Sequence, residues 1–461
     1  MSTPSFSVAV IGTGYVGLTT GATLAYLGHH VHCVDIDEAK IAGLRSGKAP
    51  FYEPHIEALM ALAAERLHFS CDLAAAIADA QVSFITVGTP SKADGSADLQ
   101  YVAAVAKGIG QALREDQAHI IINKSTIPVG TGNYVESLVR EGYRSAHDNR
   151  TAQGNFSIAS NPEFLREGSA VYDSLYPDRV VLGSNQAEAL NVLRELYKPL
   201  LEQTFPAPSM LPRPDAVEAV PLVTTDLISA ETIKYAANAF LATKISFINE
   251  VAGLCEHVGA DVSEVARGIG LDGRIGHRFL QAGIGWGGSC FGKDTQALIN
   301  SGKEYSYSMP LLEASICINQ RQRLAIIDKL QRELKLLKGR NISILGLAFK
   351  PQTDDLRDAP ALDIIHALQQ RGAHLRVHDP VAMPNCQRLY PTLDVRYAQE
   401  VQELAFEADA VILVTDWPEY RQLDWAHFAA QTRTPLLIDG RNFLDGDALQ
   451  ALGWHYVGVG R

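Results

Sequence analysis

Short apolar runs, each long enough for one strand, alternate with helical stretches over most of the chain. Residues 6–11 predict a buried strand, a glycine-rich turn and a helix over residues 15–27 follow, and residues 31–35 predict a second strand. Further strands are predicted at residues 82–87, 119–123, 157–159 and 179–182. Strands separated by helices in this way indicate a parallel α/β sheet.

A change in composition follows, because five prolines lie between residues 206 and 221. The proline-free residues 225–268 are predicted to be helical, since apolar residues recur there at helical spacing. After about residue 340 the α/β pattern resumes, with strands predicted at residues 342–345, 374–378, 410–415 and 436–439. The polar residues 141–155 predict a surface loop.

These patterns predict an α/β fold with two Rossmann-like doubly wound domains joined by a central long-helix region. We expect the N-terminal domain at residues 1–213, the central helical region at residues 214–335 and the C-terminal domain at residues 336–461. Only one glycine, Gly346, lies at the first turn of the C-terminal domain. We therefore expect a single dinucleotide, in the N-terminal domain.

Composition excludes several classes of function. The 461 residues carry a formal net charge of -12, which argues against a general nucleic-acid binder and means that an anionic substrate needs local cations. The six cysteines form no CxxC pair, as expected for reduced thiols without a zinc site. The chain has no signal-like N-terminus and no run of 18 apolar residues, so we expect a soluble, cytoplasmic protein with no membrane partner.

The first candidate site is the glycine-rich turn. Gly12 suits the tight turn, Gly14 lets the backbone approach a pyrophosphate, and Gly17 lets the helix pack on the strand. Asp35 ends the second predicted strand, where a carboxylate accepts from both ribose hydroxyls and repels a 2′-phosphate. The pattern predicts NAD as the cofactor, in preference to NADP.

The second candidate is Cys290, in the run GGSCFGKD. A free cysteine is ordinarily a small buried apolar residue. Here four nearby glycines predict a backbone open to a ligand, and Lys293 with a possible helix start favours a thiolate. Asp294, four residues on, would share a helix face with the thiol, where it could orient a water or take a proton. Such a thiol can trap an aldehyde and carry it through a second oxidation.

Two further groups of polar residues carry more than one interpretation. Lys234 and Asn238 are one helical turn apart and can meet one substrate oxygen, although such a pair is also typical of a solvated helix face. Glu163 and Glu167 follow a predicted strand and are expected one helical turn apart, as in a substrate site or an ordinary helix N-terminus.

With these segments in hand, the chain resembles the UDP-glucose 6-dehydrogenase family, within the nucleotide-sugar dehydrogenases that include the GDP-mannose enzymes. The resemblance covers nearly the whole length. Its ordered motifs are VAVIGTGYVGL, VGTP, KSTIPVGT, NPEFLREG, KYAANAFLATKISFINE, GRIGHRFLQAGIGWGGSCFGKD and FKPQTDDLRDAP.

The resemblance implies an NAD-dependent four-electron oxidation of UDP-glucose to UDP-glucuronate through a Cys290 thiohemiacetal and thioester, with two NAD and one water, for polysaccharide precursors. It implies that Lys234 and Asn238 bind the substrate oxygen and the oxyanion. Asp294, Thr126 and Glu163 would position the hydrolytic water. The NAD contacts that it implies are Gly12, Val16, Asp35, Lys40, Thr89, Thr126, Glu167, Lys293 and Arg357. The substrate contacts that it implies are Glu163, Phe164, Leu165, Arg166, Glu167, Lys234, Asn238, Arg274, Phe279, Leu280, Gln281, Ala282, Gly283, Gly287 and Lys350.

The family also implies a homodimer or larger homo-oligomer through the central helix, with Arg274 reaching the sugar nucleotide of the neighbouring subunit. The nucleotide is expected on the C-terminal domain, with the sugar facing NAD. Three alternatives stay open. They are the same chemistry on a UDP-N-acetylhexosamine or GDP-mannose, a two-electron β-hydroxyacid dehydrogenase, and a non-catalytic nucleotide-sugar sensor.

Overall fold

The computed structural model describes residues 4–90, 92, 95–147 and 155–461. They form two compact units that meet in the chain between Ala236 and Ala237. This boundary lies inside one long helix, well beyond the proline-rich segment at which the sequence predicted an exit from the first domain. The division into three domains therefore stays a prediction.

The first unit is built on a mostly parallel sheet. Its described strands are β1 (Ser7–Ile11), β2 (His30–Val34), β3 (Leu67–Ser70), β4 (Val82–Ile85), β5 (His119–Asn123), β6 (Phe156–Ser160), β7 (Val180–Gly183) and β8 (Leu222–Thr225). The strand order is β3-β2-β1-β4-β5-β6-β7-β8, and only the β6–β7 pair is antiparallel. The first six strands have the order of a doubly wound dinucleotide-binding fold, which reverses between β1 and β4.

Helices of the first unit connect these strands. They are α1 (Tyr15–Tyr26), α2 (Glu38–Arg45), α3 (Ile56–Leu62), α4 (Leu73–Ala78), α5 (Gln100–Ala112), α6 (Thr131–Ala146), α7 (Ala170–Leu175) and α8 (Ala187–Leu201). The predicted loop at residues 141–155 is wrong over its first part, because α6 continues to Ala146 with buried Gly142 and Tyr143 on its inner face. Residues 148–154 of that prediction lie outside the described residues.

The sheet of the first unit is buried on both faces, which explains why its central strands are almost entirely apolar. Val8 and Val10 of β1 belong to one hydrophobic cluster, while Ala9 and Ile11 belong to another. Successive side chains of a strand point to opposite faces. One short strand therefore contributes to two separate cores.

Four long helical segments follow the first sheet. They are α9 (Leu227–Val258), α10 (Val262–Gly270), α11 (Phe291–Glu304) and α12 (Pro310–Leu334). The prediction of a helical stretch over residues 225–268 is correct in type but missed an interruption. Gly259 has a φ of 74°, a left-handed conformation that ends α9, and Asp261 then caps α10.

The second unit contains a smaller, all-parallel sheet. Its described strands are β9 (Asn341–Leu345), β10 (His374–His378), β11 (Arg396–Tyr397), β12 (Ala410–Leu413), β13 (Leu436–Asp439) and β14 (His455–Val457), in the order β11-β10-β9-β12-β13-β14. The helices are α13 (Pro360–Gln370), α14 (Met383–Leu389), α15 (Pro418–Arg421), α16 (Trp425–Gln431) and α17 (Gly446–Ala451). The predicted second doubly wound fold is confirmed. The strands β3, β8, β11 and β14 were missed because their segments are short or polar.

Candidate active site

The glycine-rich turn lies where β1 passes into α1. Gly12 has a φ of 100°, and a side chain there would come within 2.9 Å of the Thr86 carbonyl oxygen. A Cβ on Gly17 would lie only 1.7 Å from the Gly12 carbonyl oxygen, so α1 can pack this closely against the turn only with a glycine at this position. Gly14, which precedes α1, has open space where its Cβ would be. An anionic ligand can therefore approach the amides at the start of α1.

Asp35 lies beside this turn, directly after β2. Its Oδ2 accepts hydrogen bonds from the Thr13 amide at 2.9 Å, the Thr13 hydroxyl at 2.7 Å and the Lys40 ammonium at 2.9 Å. Burial raises the pKa of Asp35, but the hydrogen bonds from Lys40 and Thr13 outweigh it and keep the pKa below its ordinary value. The carboxylate is thus ionised at neutral pH, and the turn and Asp35 together fit a dinucleotide.

Ile36 is a residue that the sequence reasoning missed. It follows Asp35 at the end of β2 and is 90% exposed, which is unusual for an isoleucine. The signal was present in the sequence, since an apolar residue directly follows the predicted ribose-binding carboxylate. Its exposed side chain offers an apolar surface next to Asp35 in the chain.

A buried cluster of charges lies at the ends of β5 and β6 in the first unit. Lys234 on α9 donates from Nζ to Glu163 Oε1 at 2.8 Å, and the two side chains are only 5% and 6% exposed. The other oxygen of Glu163 accepts from the Leu165 amide at 2.7 Å. Burial raises the pKa of Glu163, but the Lys234 and Lys124 charges and the Leu165 amide together hold it below its ordinary value.

Lys124, at the end of β5, is a second cation of this cluster that was not singled out from the sequence. Its Nζ donates to Asn161 Oδ1 at 2.9 Å. Burial lowers the pKa of Lys124 to about 8, with Glu163 opposing the shift and the charge of Lys234 adding to it. Two lysines therefore share one carboxylate, and the second lysine gives up its proton more readily than a solvated lysine would.

The segment after β6 is not helical, so the prediction that Glu163 and Glu167 are one helical turn apart is wrong. Residues 161–166 have no regular structure, and α7 begins only at Ala170. The Phe164 ring lies between two cations, with Arg179 at 3.6 Å and Lys234 Nζ at 5.5 Å from its centroid. Elsewhere in this unit the Thr89 hydroxyl donates to the Thr126 carbonyl oxygen at 2.7 Å, which links two expected NAD contacts.

In the second unit Cys290 caps the N-terminus of α11, and its carbonyl accepts from the Asp294 amide at 2.8 Å. The thiol is partly exposed and lies 3.5 Å from the Ser289 hydroxyl. Asp294 is fully buried and accepts from Asn238 Nδ2 at 2.6 Å and from Lys293 Nζ at 2.5 Å. Cys290 is thus the residue at the positive end of the α11 dipole, a position that favours thiolates in general.

The glycines before Cys290 serve packing, so the prediction that they leave the backbone open is wrong. All four are buried. A Cβ on Gly287 would come within 2.3 Å of the Asp358 carbonyl oxygen, and one on Gly288 would lie 2.6 Å from the Phe349 ring. Gly283 likewise faces the Gly440 carbonyl oxygen at 2.7 Å. Neighbouring backbone and side chains fill these positions and pack against the segment that leads to the thiol.

A cavity of about 250 Å³ in the second unit adjoins three of the expected substrate contacts, Leu280, Gln281 and Ala282. Arg441 lines the same cavity and was missed, because nothing in its local sequence marks it. Arg441 is half-buried, and its guanidinium donates to the carbonyls of Val414, Gly285 and Phe349. Burial lowers the pKa of Arg441. The second unit therefore holds a fixed cation at a concave surface.

Three further expected contacts, Arg274, Arg357 and Lys350, lie in the second unit and are at least partly exposed. Arg274 is almost fully exposed and pairs with Asp272 at 2.6 Å. Arg357 pairs with Asp355 at 2.7 Å, and Lys350 Nζ lies 5.4 Å from the centroid of the Phe349 ring. Among the residues that the structure describes, no three potential ligands come together as a metal site, and every helix is too short or too polar to cross a bilayer.

A doubly wound sheet with a glycine turn and a carboxylate at its switch point, in one chain with a thiol at a helix start, defines an NAD-dependent oxidoreductase. Models of the NAD binding, central and UDP binding domains of one family match residues 6–201, 228–321 and 343–446. The chain belongs to this family, the UDP-glucose/GDP-mannose dehydrogenases.

Relatives are similar over the full length. A UDP-glucose 6-dehydrogenase of Bacillus subtilis is 46% identical over 456 residues, which is 98% of this chain and 93% of that relative. The structure of a UDP-glucose dehydrogenase from Pyrobaculum islandicum matches with a TM-score of 0.85 at 36% identity and covers 98% of this chain and 99% of that one. A UDP-D-ManNAc dehydrogenase from Pyrococcus horikoshii matches with a TM-score of 0.82 at 25% identity, over 98% and 99% of the two chains.

The Asp35 carboxylate is expected to set cofactor choice. Asp35→Asn weakens the acceptor for the ribose hydroxyls, so NAD affinity should fall about tenfold. It also removes the charge that repels a 2′-phosphate, so the preference for NAD over NADP should narrow. Calorimetric titration of both cofactors measures the change. Asp37→Asn, two residues away on the same turn, is the matched control and should bind NAD normally. Unchanged NAD affinity in Asp35→Asn would contradict the assignment of Asp35 to NAD binding.

Removal of the Glu163 charge should destabilise the first unit. In Glu163→Gln two buried lysines lose their counter-charge, which costs about 3 kcal/mol near neutral pH. Because Lys124 has a pKa of about 8, its proton is lost above that pH and the cost should shrink by about pH 9. Urea unfolding at both pH values tests this, with the exposed Glu188→Gln as control. An equal cost at the two pH values would contradict the account.

Proposed function

We propose that the chain oxidises the C6 alcohol of UDP-glucose to a carboxylate, giving UDP-glucuronate for polysaccharide precursors. Each turnover consumes two NAD and one water and releases two NADH and three protons. The observation that carries this proposal is Cys290 at the start of α11, close in the chain to a buried Asp294 that Asn238 and Lys293 hold in place. A thiol in this setting serves no purpose in a two-electron alcohol dehydrogenase.

NAD, when bound, accepts a hydride from C6 in each of the two oxidation steps. In the first step the hydroxyl proton passes to Lys234, Asp294 or an ordered water. Lys234 Nζ donates to Glu163 Oε1 at 2.8 Å, which fixes the position of this group on α9. We therefore assign Lys234 and Asn238, one turn apart on α9, to the substrate oxygen and to the negative charge that develops on it.

In the second stage the Cys290 thiolate attacks the aldehyde carbon and forms a thiohemiacetal. Loss of hydride from the same carbon leaves a thioester, which keeps the sugar attached between the two oxidations. Water then attacks the thioester, the carbon–sulfur bond breaks and the thiolate returns. We assign Asp294 and Glu163 to the proton of that water, together with Thr126 as the positioning hydroxyl.

The nucleotide end requires cations, because the protein as a whole is acidic. Arg441 supplies one in the wall of the second-unit cavity, and we assign it and Lys350 to the diphosphate. The expected contacts from Phe279 to Gly283 line or adjoin the same surface. The match of residues 343–446 to a UDP binding domain supports this assignment.

Stoichiometry separates this proposal from its alternatives. With UDP-glucose limiting, two NADH should form per sugar, whereas a β-hydroxyacid dehydrogenase would give one and a sensor none. Cys290→Ala should lose about 10³-fold or more in the overall reaction, since the covalent route is gone. Cys317→Ala, at an exposed thiol of α12, is the matched control. A Cys290→Ala enzyme that forms two NADH at the normal rate would overturn the covalent mechanism.

The identity of the sugar is tested by the same assay with UDP-N-acetylhexosamines and GDP-mannose. The relative from Bacillus subtilis, named for UDP-glucose, is 46% identical, whereas the ManNAc enzyme from Pyrococcus horikoshii is 25% identical. That difference supports UDP-glucose. Faster production of NADH from another nucleotide sugar would show that this other sugar, and not UDP-glucose, is the preferred substrate.

We also propose that the protein is a homodimer through α9. Phe240, Phe247 and Leu254 are all more than half exposed, and their spacing of seven residues places them on one face of the helix. A second copy of the chain is the partner that fits such a stripe, as the family resemblance implies. The exposed Arg274 would then be available to the neighbouring subunit. A cytoplasmic location stays a prediction.

A charge within this stripe should separate the subunits. Phe247→Glu is expected to convert the dimer into monomers, because burial of a carboxylate in an apolar interface costs several kcal/mol. Light scattering coupled to size-exclusion chromatography measures the mass. Leu62→Glu, at an equally exposed apolar residue of α3, should leave it unchanged. A dimeric Phe247→Glu protein would place the interface elsewhere.

A further inference from the structure

Glu231 is a buried carboxylate of α9 that the catalytic steps do not use. It lies one helical turn before Lys234 and is only 3% exposed. Its Oε2 accepts from the Gly130 amide at 2.6 Å, and its Oε1 accepts from the Gly132 amide at 2.9 Å. The carboxylate therefore satisfies two amides at the start of α6, about 100 residues away in the chain.

The group that caps the N-terminus of α6 comes from a different helix. The first amides of a helix have no partner within the helix, and a serine, threonine or aspartate at its start commonly accepts from them. The residue before α6 is Gly130, which has no side chain and a φ of 90°. The start of α6 thus depends on a carboxylate from another helix.

The segment held in this way is the connection between β5 and α6, which contains Thr126. Its first residue, Lys124, donates to Asn161, and the Thr126 carbonyl accepts from the Thr89 hydroxyl. Its far end is closed by the Thr131 hydroxyl, which donates to the Pro128 carbonyl at 2.6 Å. Glu231 attaches this far end to the helix of Lys234 by two hydrogen bonds, beside the apolar packing of Leu227 against Gly132.

We propose that Glu231 is a positioning residue that holds the connection from β5 to α6, and Thr126 with it, at a fixed place relative to Lys234. This proposal rests on the proposed function, because Thr126 is assigned there to NAD and to the hydrolytic water. Glu231 touches neither and acts through the two amides.

Its ionisation makes this positioning sensitive to pH. Burial raises the pKa of Glu231 to about 7, the amides of Gly130 and Gly132 oppose the shift, and the charge of Asp226 at the start of α9 adds to it. The ionised carboxylate accepts from both amides. In the protonated form one oxygen carries a hydrogen, so one of the two amides loses its acceptor.

Glu231→Gln reproduces the protonated form, since it has one accepting oxygen and one NH₂ group in the same shape. Above about pH 8 we expect its kcat/KM for NAD to be about tenfold below that of the unchanged protein, as for one lost hydrogen bond to a charged group. The unchanged protein should lose activity as pH falls through about 7, and this acid limb should be absent in Glu231→Gln. The KM for UDP-glucose should change less than twofold.

The stability of the fold provides an independent measurement. Because the pKa of Glu231 is raised on folding, the folded chain binds a proton that the unfolded chain releases. The stabilisation of the folded state by this proton is fully present below the ordinary pKa of 4.5 and is lost as pH rises through about 7. The melting temperature of Glu231→Gln should therefore change less over this range. Glu231→Asp, which keeps the charge but is shorter, should retain the acid limb at weaker NAD binding.

Asp72→Asn is the matched control, because Asp72 caps α4 by accepting from the Ala75 amide and takes no part in the proposed site. It should change neither the NAD parameters nor the acid limb. An acid limb in Glu231→Gln identical to that of the unchanged protein, or equal losses for both substrates, would overturn the positioning role. Calorimetry of NAD binding in the absence of sugar tests the positioning role without any turnover. If the protein never oxidises UDP-glucose, that result refutes the proposed function and leaves the positioning role to be judged by NAD binding.

Discussion

Lys234 and Glu163 face each other at 2.8 Å with almost no access to water, so each is the nearest opposite charge of the other. Burial of a single ion costs several kcal/mol, whereas a paired ion with further hydrogen bonds is tolerated. The segment after β6 follows an irregular path there, in which the Leu165 amide donates to the Glu163 carboxylate at 2.7 Å. Lys124 lies in the same cluster, and its pKa falls to about 8 mainly because it is buried, with the Lys234 charge adding to the shift and Glu163 opposing it.

The two units use carboxylates in the same way, to hold a functional group by its hydrogen bonds. Asp35 binds the turn after β1 through Thr13, Glu231 binds the start of α6, and Asp294 binds Asn238 and Lys293. Each carboxylate is held by hydrogen bonds from neighbouring donors, so its side chain has lost its rotational freedom before any ligand binds. Preorganisation of this kind lowers the entropy cost of binding.

The sequence predicted those features that depend on local pattern. Strands such as His119–Asn123 follow from apolar runs, and the glycine turn follows from spacing. Contacts between distant segments were beyond it, because no local signal tells which backbone lies against Gly287 or which carbonyls surround Arg441. The interpretation of the four glycines before the thiol failed for this reason. The sequence shows where a glycine lies, but only the folded structure shows which atoms occupy the space that a side chain would take.

The alternation along β1 limits how this chain can vary. Since Val8 and Ala9 enter different cores, loss or gain of a single residue in the strand would exchange the contents of both, with branched side chains where an alanine fits. Insertions and deletions in related chains must therefore accumulate in the connections, and the central strands can change only by substitution at constant length.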